Sequence, residues 1–216
     1  MSRSEKSEMT YQKILDVSND LFRKKGYGKT SIQDILNELK MSKGAVYHHF
    51  KSKKEILDAI EQRTFDQYMA FVSQLTKTVV GNNAKEKLTN VFVEYLKVYD
   101  FEILDKERLE AHLDPHTIVS DIKAIPHYGK FLVELLEEGK IDGSITTEHP
   151  YELAETFFML QGVWLSPLIF KRSFDDLKKR VLYLQQMMKN MGADFITDEI
   201  VDLFLTSYKK LDFNNT

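Results

Sequence analysis

The sequence lacks cysteine and contains little proline or glycine. The absence of cysteine excludes disulfides and thiolate metal sites, and it is typical of proteins kept in a reducing compartment. Four prolines and nine glycines among 216 residues are too few for a turn-rich all-β fold. These absences favour long helices.

Long apolar segments are also missing. The N-terminus, MSRSEKSEMTYQK, has no apolar core of the kind found in signal peptides. The segment VWLSPLIF falls well short of the roughly 18 apolar residues that span a bilayer. The sequence therefore predicts a cytoplasmic protein with no membrane segment.

Catalytic motifs are absent as well. We find no glycine-rich phosphate loop, no Ser/His/Asp ordering of a known kind and no close acid pair in an apolar setting. The histidines His112 and His116 have the i, i+4 spacing of a metal pair, but Pro115 lies between them and no second pair accompanies them. We predict no enzymatic activity, no cofactor and no metal site.

The charge is unevenly distributed. Residues 1–60 contain twelve Lys or Arg and eight Asp or Glu, whereas the remainder contains 18 and 25. A basic N-terminal segment on an acidic body is typical of proteins that bind a polyanion at one end.

Apolar spacing predicts an all-α fold. In the first helix, Ser7 to Lys25, an apolar stripe includes Ser18 at a position where close packing is expected. Thr30-Ser31-Ile32-Gln33 resembles a capping box that opens a second helix ending near Lys40. Ser42 then caps a third helix, Lys43 to His49. A second capping box, Ser52 to Glu55, opens a fourth helix that runs to about Thr78.

The C-terminal part is also predicted to be helical. We predict helices over Phe131–Glu138, ending at Gly139, and over Tyr151–Phe170, Asp175–Asn190 and Asp198–Lys210. Pro115 and Pro126 are each expected to start or end a short helix. We predict two domains, residues 1–52 and 53–216.

The short third helix has two different faces. Val46, His49 and Phe50 share one side and can pack on the second helix, so His49 is predicted to be a structural brace. The opposite side carries Lys43, Gly44, Tyr47 and His48. Its ammonium, phenol and imidazole groups can donate hydrogen bonds to phosphates or base edges. Two short helices joined by a tight turn form a helix-turn-helix, whose second helix enters the major groove.

The segment TSIQDILNELKMSKGAVYHHFKSKKEIL resembles the DNA-binding segment of the TetR family of bacterial transcriptional regulators. The resemblance is close in SKGAVYHHFKSK and covers about the first 60 residues. Two positions depart from the family pattern: Leu36 replaces a small residue, and Lys40 replaces the glycine that usually takes the left-handed conformation of the turn.

The resemblance implies a set of DNA contacts. They come from the second helix, the third helix and the start of the fourth, where Lys53 would hold a phosphate: Thr30, Ser31, Gln33, Lys43, Gly44, Ala45, Tyr47, His48 and Lys53. Thr30 and Ser31 have the alternative role of helix caps. Arg3 and Lys6 lie in a tail that either touches the DNA backbone or is solvated and disordered.

The resemblance also implies a homodimer that binds double-stranded DNA at a palindromic operator, acts as a repressor and is released by a small-molecule effector. Tyr151–Phe170 and Val201–Leu211 are the predicted dimer helices. Candidate residues for an apolar effector are mostly aromatic or sulfur-containing, and the alternative for each is an ordinary core position: Phe92, Tyr95, Tyr99, Phe158, Gln161, Trp164, Met187 and Met188. The alternative function is a constitutive regulator or helical interaction protein without an effector.

Overall fold

Helices account for nearly all regular structure in the computed structural model, which describes residues 3–98, 115–166, 169–170 and 172–209. No β-strand occurs within these ranges, and the all-α prediction is confirmed. The helices are α1 (Arg3–Lys25), α2 (Ile32–Leu39), α3 (Lys43–His49), α4 (Lys53–Thr78), α5 (Ala84–Val98), α6 (Pro115–Tyr128), α7 (Lys130–Asp142), α8 (Pro150–Met159), α9 (Phe174–Asn190) and α10 (Asp198–Lys209).

Contacts divide these helices between two compact units. The first unit contains described residues 3–68 and 115–117, and the second contains 69–98 and the described residues from 118 onward. The division falls within α4, so this helix contributes to both units. The domain boundary expected between residues 52 and 53 remains a prediction.

A single apolar core holds the first unit together. Its centre consists of fully or nearly fully buried residues from α1 to α4, including Ile14, Leu15, Ile35, Val46 and Ile56. Ser18 of α1 is fully buried. This agrees with the close packing expected at its position in the apolar stripe. Helix α1 begins at Arg3, so Arg3 and Lys6 lie within a helix and the expectation of a disordered tail was wrong.

The turn between α2 and α3 depends on Lys40. This residue ends α2 in the left-handed conformation, with φ 54° and ψ 40°, and its N–H donates to the Asn37 carbonyl at 3.3 Å. The turn therefore keeps the backbone shape for which glycine is usual, and a lysine adopts it at a cost of about 1–2 kcal/mol.

Replacement of Lys40 by glycine is expected to stabilise the protein. Lys40→Gly removes the steric cost at positive φ, and the extra freedom of glycine in the unfolded chain cancels part of the gain. We expect the free energy of unfolding, measured in urea, to rise by about 0.5–1 kcal/mol. Lys40→Ala is the control: alanine has the same steric cost, so an equal gain in this variant would contradict the explanation.

The predicted end of α7 at Gly139 was wrong. Helix α7 continues through Gly139 to Asp142 and ends at Gly143, where φ is 77°. Gly139 is required for packing, because a Cβ there would lie 2.7 Å from the Ile145 side chain.

The segment predicted as one helix, Tyr151–Phe170, is interrupted. Helix α8 ends at Met159 and is followed by a π-helical turn, Leu160–Trp164, before the chain bends at Leu165. Helix α6 begins at Pro115 as expected, in the first unit, and continues into the second, where Pro126 lies inside it.

Candidate nucleic-acid interface

Helix α3 has only seven residues and depends on its neighbours for stability. The Ser42 side chain caps its first turn by accepting from the Ala45 N–H at 3.3 Å. Val46 and Phe50 are buried in the core of the first unit, and the Phe50 ring stacks on Tyr11 of α1 with centroids 4.9 Å apart. The helix is therefore fixed through one side, and its other side is left at the surface.

The outer side of α3 carries the predicted donors. Lys43, Gly44 and His48 are exposed, and Tyr47 is half-buried. The Lys43 ammonium lies 5.4 Å from the centre of the Tyr47 ring. A Cβ placed on Gly44 would meet nothing within 4 Å, so the surface beside the ring is open. This face can approach a nucleic acid closely and donate hydrogen bonds to it.

The two adjacent histidines differ in environment. His48 is exposed, whereas His49 is half-buried and packs edge-on to Tyr11 with centroids 6.3 Å apart. Burial lowers the pKa of His49, and the neighbouring His48 lowers it further, against a smaller opposite effect of Glu8. His49 thus favours its neutral form and braces α3, as the sequence predicted, which leaves His48 for the outer face.

The N-terminus of α2 is capped differently from the prediction. Ser31, not Thr30, is the cap, and its partner is Asp34 rather than Gln33. The Asp34 carboxylate accepts from the Ser31 hydroxyl at 2.6 Å and from its N–H at 2.8 Å. These bonds, with a smaller effect of Lys25, lower the pKa of Asp34 to about 2. The stabilisation is complete above the ordinary aspartate pKa and is lost as the pH falls through about 2.

The other predicted contact residues, Ser31, Gln33 and Ala45, differ in exposure. Ser31 is exposed, and so is Gln33, whose amide donates to the Asn37 side chain at 2.8 Å. Ala45 is half-buried, with its N–H already bonded to Ser42. Ser31 and Gln33 thus both lie at the surface, but the Ser31 hydroxyl already donates to the Asp34 carboxylate and accepts from the Asp34 N–H.

Thr30 is directed inward. Its side chain is 1% exposed, and its hydroxyl donates to the Gly26 carbonyl at 2.9 Å. The Thr30 N–H donates to the Tyr27 carbonyl, and the Thr30 carbonyl accepts from the Lys53 ammonium. Every polar group of Thr30 thus has an internal partner, and in this conformation the residue offers no group for the predicted DNA contact.

Lys53 is also bonded within the protein. Its ammonium donates to the carbonyls of Tyr27 and Thr30 at 2.7 and 2.8 Å and lies 4.2 Å from the centre of the Tyr27 ring. Two of its three donors are used in this way. The first turn of α4 is thereby tied to the turn that precedes α2, a role that the sequence pattern did not suggest for the predicted phosphate ligand.

These bonds predict what the loss of Lys53 does. Lys53→Met is expected to lower the free energy of unfolding by about 1–3 kcal/mol, because two carbonyls lose a charged donor. A lost phosphate contact would instead reduce the slope of log affinity against log salt by about one. Urea unfolding and DNA titrations over a salt series measure the two effects separately.

Lys54→Met is the matched control, because it removes the same charge one residue away. Among the described residues, Lys54 forms an ion pair with Asp58 on the same helix face, at 2.7 Å, and both side chains are exposed. Such a pair stabilises by about 0.2–0.5 kcal/mol. Equal losses of stability in the two variants would contradict the bracing role of Lys53.

The connection from α3 to α4 is fixed at both ends. The Ser52 hydroxyl accepts from the Glu55 N–H at 3.1 Å, and the Glu55 carboxylate accepts from the Lys51 N–H at 2.7 Å. The Lys51 ammonium donates back to the Tyr47 carbonyl at 2.7 Å. The predicted cap at Ser52 is confirmed, and Lys51 adds a bond across the end of α3.

The predicted effector residues fall into separate groups in the second unit. Phe92 and Phe158 belong to an aromatic cluster with Phe131, Phe157 and Phe195, in which Phe92 stacks on Phe195 with centroids 5.2 Å apart. Met188 is fully buried, which makes it a core residue. The other described candidates are half-buried: Tyr95, Gln161, Trp164 and Met187.

Some predicted positions lie outside the described residues, including Tyr99 and His112. Within the described part of the chain, no group of three or more His, Cys, Asp or Glu could hold a metal ion. Among the same residues, no helix is long and apolar enough to cross a membrane.

Comparisons with known proteins agree with the geometry of the first unit. Residues 14–60 match the family model described as bacterial regulatory proteins of the tetR family. The transposon Tn10 TetC protein of Escherichia coli is 32% identical over 94 residues, which cover 44% of this chain and 48% of TetC. The chain thus spans about half the length of that relative.

Two further likenesses extend over more of the chain. The HTH-type transcriptional repressor KstR2 of Mycolicibacterium smegmatis is 24% identical over 167 residues, covering 73% of this chain and 78% of KstR2. The crystal structure of a TetR-family transcriptional regulator from Pectobacterium atrosepticum superposes with a TM-score of 0.62 at 19% identity, covering 89% of this chain and 98% of that one. This structural likeness shows the shared all-α fold.

Helices α2 and α3 have helix-turn-helix geometry, and both lie within residues 14–60, which match the tetR-family model. The chain is thus similar to the TetR family of bacterial regulatory proteins over this segment, and it shares its all-α fold with solved structures of that family.

Proposed function

We propose that the protein is a transcriptional regulator that binds a palindromic DNA operator as a homodimer and represses transcription until a small-molecule effector releases it. The observation that carries the proposal is the exposed outer face of α3, where Lys43, Gly44 and His48 surround the half-buried Tyr47. Repression is favoured over activation because KstR2, which is similar over 73% of this chain, is named as a repressor.

The chemistry of α3 suits the major groove. The ammonium of Lys43 and the imidazole of His48 are free to turn toward phosphates or base edges, and the Tyr47 phenol lies between them on the helix. The opposite face is buried, so the helix can enter the groove without loss of packing. Gln33 in the first turn of α2 offers an additional polar side chain at the surface.

A dimer is needed because one short helix contacts only a few base pairs. Two copies related by a twofold axis bind half-sites about one helical turn apart, ~34–36 Å, or a multiple of that distance. We place the dimer surface on α8 and α9, where Tyr151, Met159 and Leu182 are 66%, 40% and 42% exposed. A contiguous patch of such side chains at the surface is typical of sites where proteins associate.

The apolar residues of the second predicted dimer helix are already buried. The apolar residues of α10 face their own protomer: Val201, Phe204, Leu205 and Tyr208 are all less than 9% exposed. Helix α10 packs on α5 and α9. Because this apolar stripe is already used, we assign the role expected of Val201–Leu211 to α9.

The test of the proposal is fluorescence anisotropy with the DNA upstream of the protein's own gene, over a salt series. We expect two protomers per duplex and an affinity that falls steeply as the salt concentration rises, because phosphate contacts release counterions. Binding no tighter than to an unrelated duplex of the same length would contradict the proposal.

A further inference from the structure

An unusual group of cations and aromatic rings lies at the end of the π-helical turn of the second unit. We call it the Trp164 cluster, and it consists of Trp164, Phe170, Arg172, Arg180 and Tyr183. The Trp164 and Tyr183 rings meet edge to face with centroids 6.2 Å apart. The guanidinium carbons of Arg172 and Arg180 lie 6.0 and 5.8 Å from the centre of the Trp164 ring. Two guanidinium groups thus lie near the same indole ring.

Arg172 has no acidic partner within the described part of the chain. Its guanidinium donates one hydrogen bond, to the Trp164 carbonyl, and lies 4.4 Å from the centre of the Phe170 ring. Burial lowers the pKa of Arg172, and repulsion by Arg180 lowers it further, against the smaller attraction of Asp176. An arginine has five N–H donors, so most of this guanidinium is left to bind an acceptor.

Arg180 is incompletely satisfied. One Nη donates to the Asp176 backbone carbonyl at 3.0 Å, and the nearest Asp176 carboxylate oxygen, at 3.8 Å, is beyond hydrogen-bonding distance. Its Nε is buried and has no hydrogen-bond partner among the described residues. Native proteins rarely leave such a donor unpaired, so its presence points to an acceptor that the chain itself does not supply.

The rings around the two arginines extend to the surface. Phe170 is 41% and Tyr183 is 59% exposed, and both border the charged groups. An apolar body can therefore lie against the rings while its charged end reaches the guanidinium groups. A purely apolar molecule would leave the two positive charges uncompensated.

We propose that the Trp164 cluster binds an organic anion, with its carboxylate or phosphate bridging Arg172 and Arg180 and its apolar body lying against Trp164 and Tyr183. The anion removes the repulsion between the two cations and supplies the acceptors that their planar donors require. This inference rests on the proposed function in one respect: the anion is the effector class, which makes the effector amphipathic and negatively charged rather than only apolar.

The test uses Trp164 as its own reporter, because the chain contains one tryptophan. The full chain is titrated with phenylacetate and with phenylacetamide, which keeps the ring but is neutral, and tryptophan emission is followed. We expect a saturable change with phenylacetate and none with the amide. Arg172→Met and Arg180→Met should each weaken phenylacetate binding by about tenfold or more, as expected for a lost charged hydrogen bond.

Lys178→Met and Lys179→Met are matched controls. Both lysines are exposed residues of α9, and each substitution removes one positive charge close to Arg180. They should bind phenylacetate like the wild type. An equal response to the amide, or wild-type binding by both arginine variants, would overturn the proposal.

Two further titrations define the ligand. A titration with phenyl phosphate in place of phenylacetate shows whether the arginines prefer a phosphate or a carboxylate group. Tighter binding of phenyl phosphate or phenylacetate than of phenylacetamide supports the site. Inorganic phosphate should bind more weakly than both, because it has no apolar body. Inorganic phosphate that binds as tightly as phenylacetate would overturn the role of the rings.

DNA affinity is measured on the same preparations, so that the two proposals can fail separately. Operator binding by a protein that shows no arginine-dependent anion binding would leave the proposed function intact and refute the site. Arginine-dependent anion binding by a protein that binds no operator would support the site and refute the proposed function.

Discussion

A variant in which Lys43 and Tyr47 are both alanine is expected to bind operator DNA about 10²–10⁴ times more weakly than the wild type. Each side chain is expected to contribute roughly 1–3 kcal/mol through contacts to phosphate or base edges. The Lys43 ammonium lies 5.4 Å from the centre of the Tyr47 ring. Because the two groups are this close, the losses of binding free energy in the two single variants are not expected to sum to the loss in the double variant.

The fold should survive these changes. Lys43 is exposed and Tyr47 half-buried, and neither belongs to the buried core around Val46 and Phe50. Anisotropy gives the affinity, and urea unfolding verifies the stability. Lys13→Ala, at an exposed lysine of α1, is the control for the loss of one positive charge. Wild-type affinity in a folded double variant would contradict the assignment of α3.

The second large effect concerns the dimer. Leu182→Glu places a charge on the apolar surface proposed for α8 and α9, where it would have to be buried without a partner. We expect the variant to be monomeric at concentrations where the wild type is a dimer. Its operator affinity should fall by about 100-fold or more, because a monomer contacts only one half-site.

Sedimentation velocity measures the oligomeric state, and anisotropy measures the affinity. The control is Ile141→Glu, at another exposed apolar residue of the second unit, 88% exposed at the end of α7. It should remain dimeric. A dimeric Leu182→Glu variant, or an equally monomeric Ile141→Glu variant, would show that the surface has been placed wrongly.

The sequence predicts the first unit well because its information is local. Ser42 and Ser52 are good caps, and the bounds of α3 and α4 follow from them and from the apolar spacing. The separation of His48 from His49 follows from helical periodicity alone. These features depend on residues a few positions apart.

The sequence analysis failed where a structural feature depends on residues that are far apart in the chain. Lys53 is bonded to carbonyls 26 and 23 residues earlier in the chain, which no periodicity indicates. Gly139 was expected to end a helix, but it lies within α7, and the close approach of the Ile145 side chain explains why this position has a glycine. A sequence pattern shows that one face of α10 is apolar and does not show which surface covers it; in the structure that face is buried within the protomer.

The candidate effector residues illustrate the same limit. Aromatic and methionine positions in the second unit were selected for apolar character, and the structure divides them into a packed ring cluster around Phe92 and a charged site around Trp164. The arginines that distinguish the second group were not selected from the sequence: Arg172 lies just before α9, and Arg180 lies within it. Their significance depends on their partners among the described residues: Arg172 has no acidic partner there, and the Nε of Arg180 has no hydrogen-bond acceptor there.

The most direct test of the central claim is selection of bound sequences from a pool of random DNA duplexes by the wild-type protein. We predict enrichment of one inverted repeat, with half-sites about one helical turn apart or a multiple of that distance. The Lys43→Ala, Tyr47→Ala double variant should enrich nothing. A wild-type protein that enriches no sequence, or a double variant that enriches the same repeat, would contradict the account.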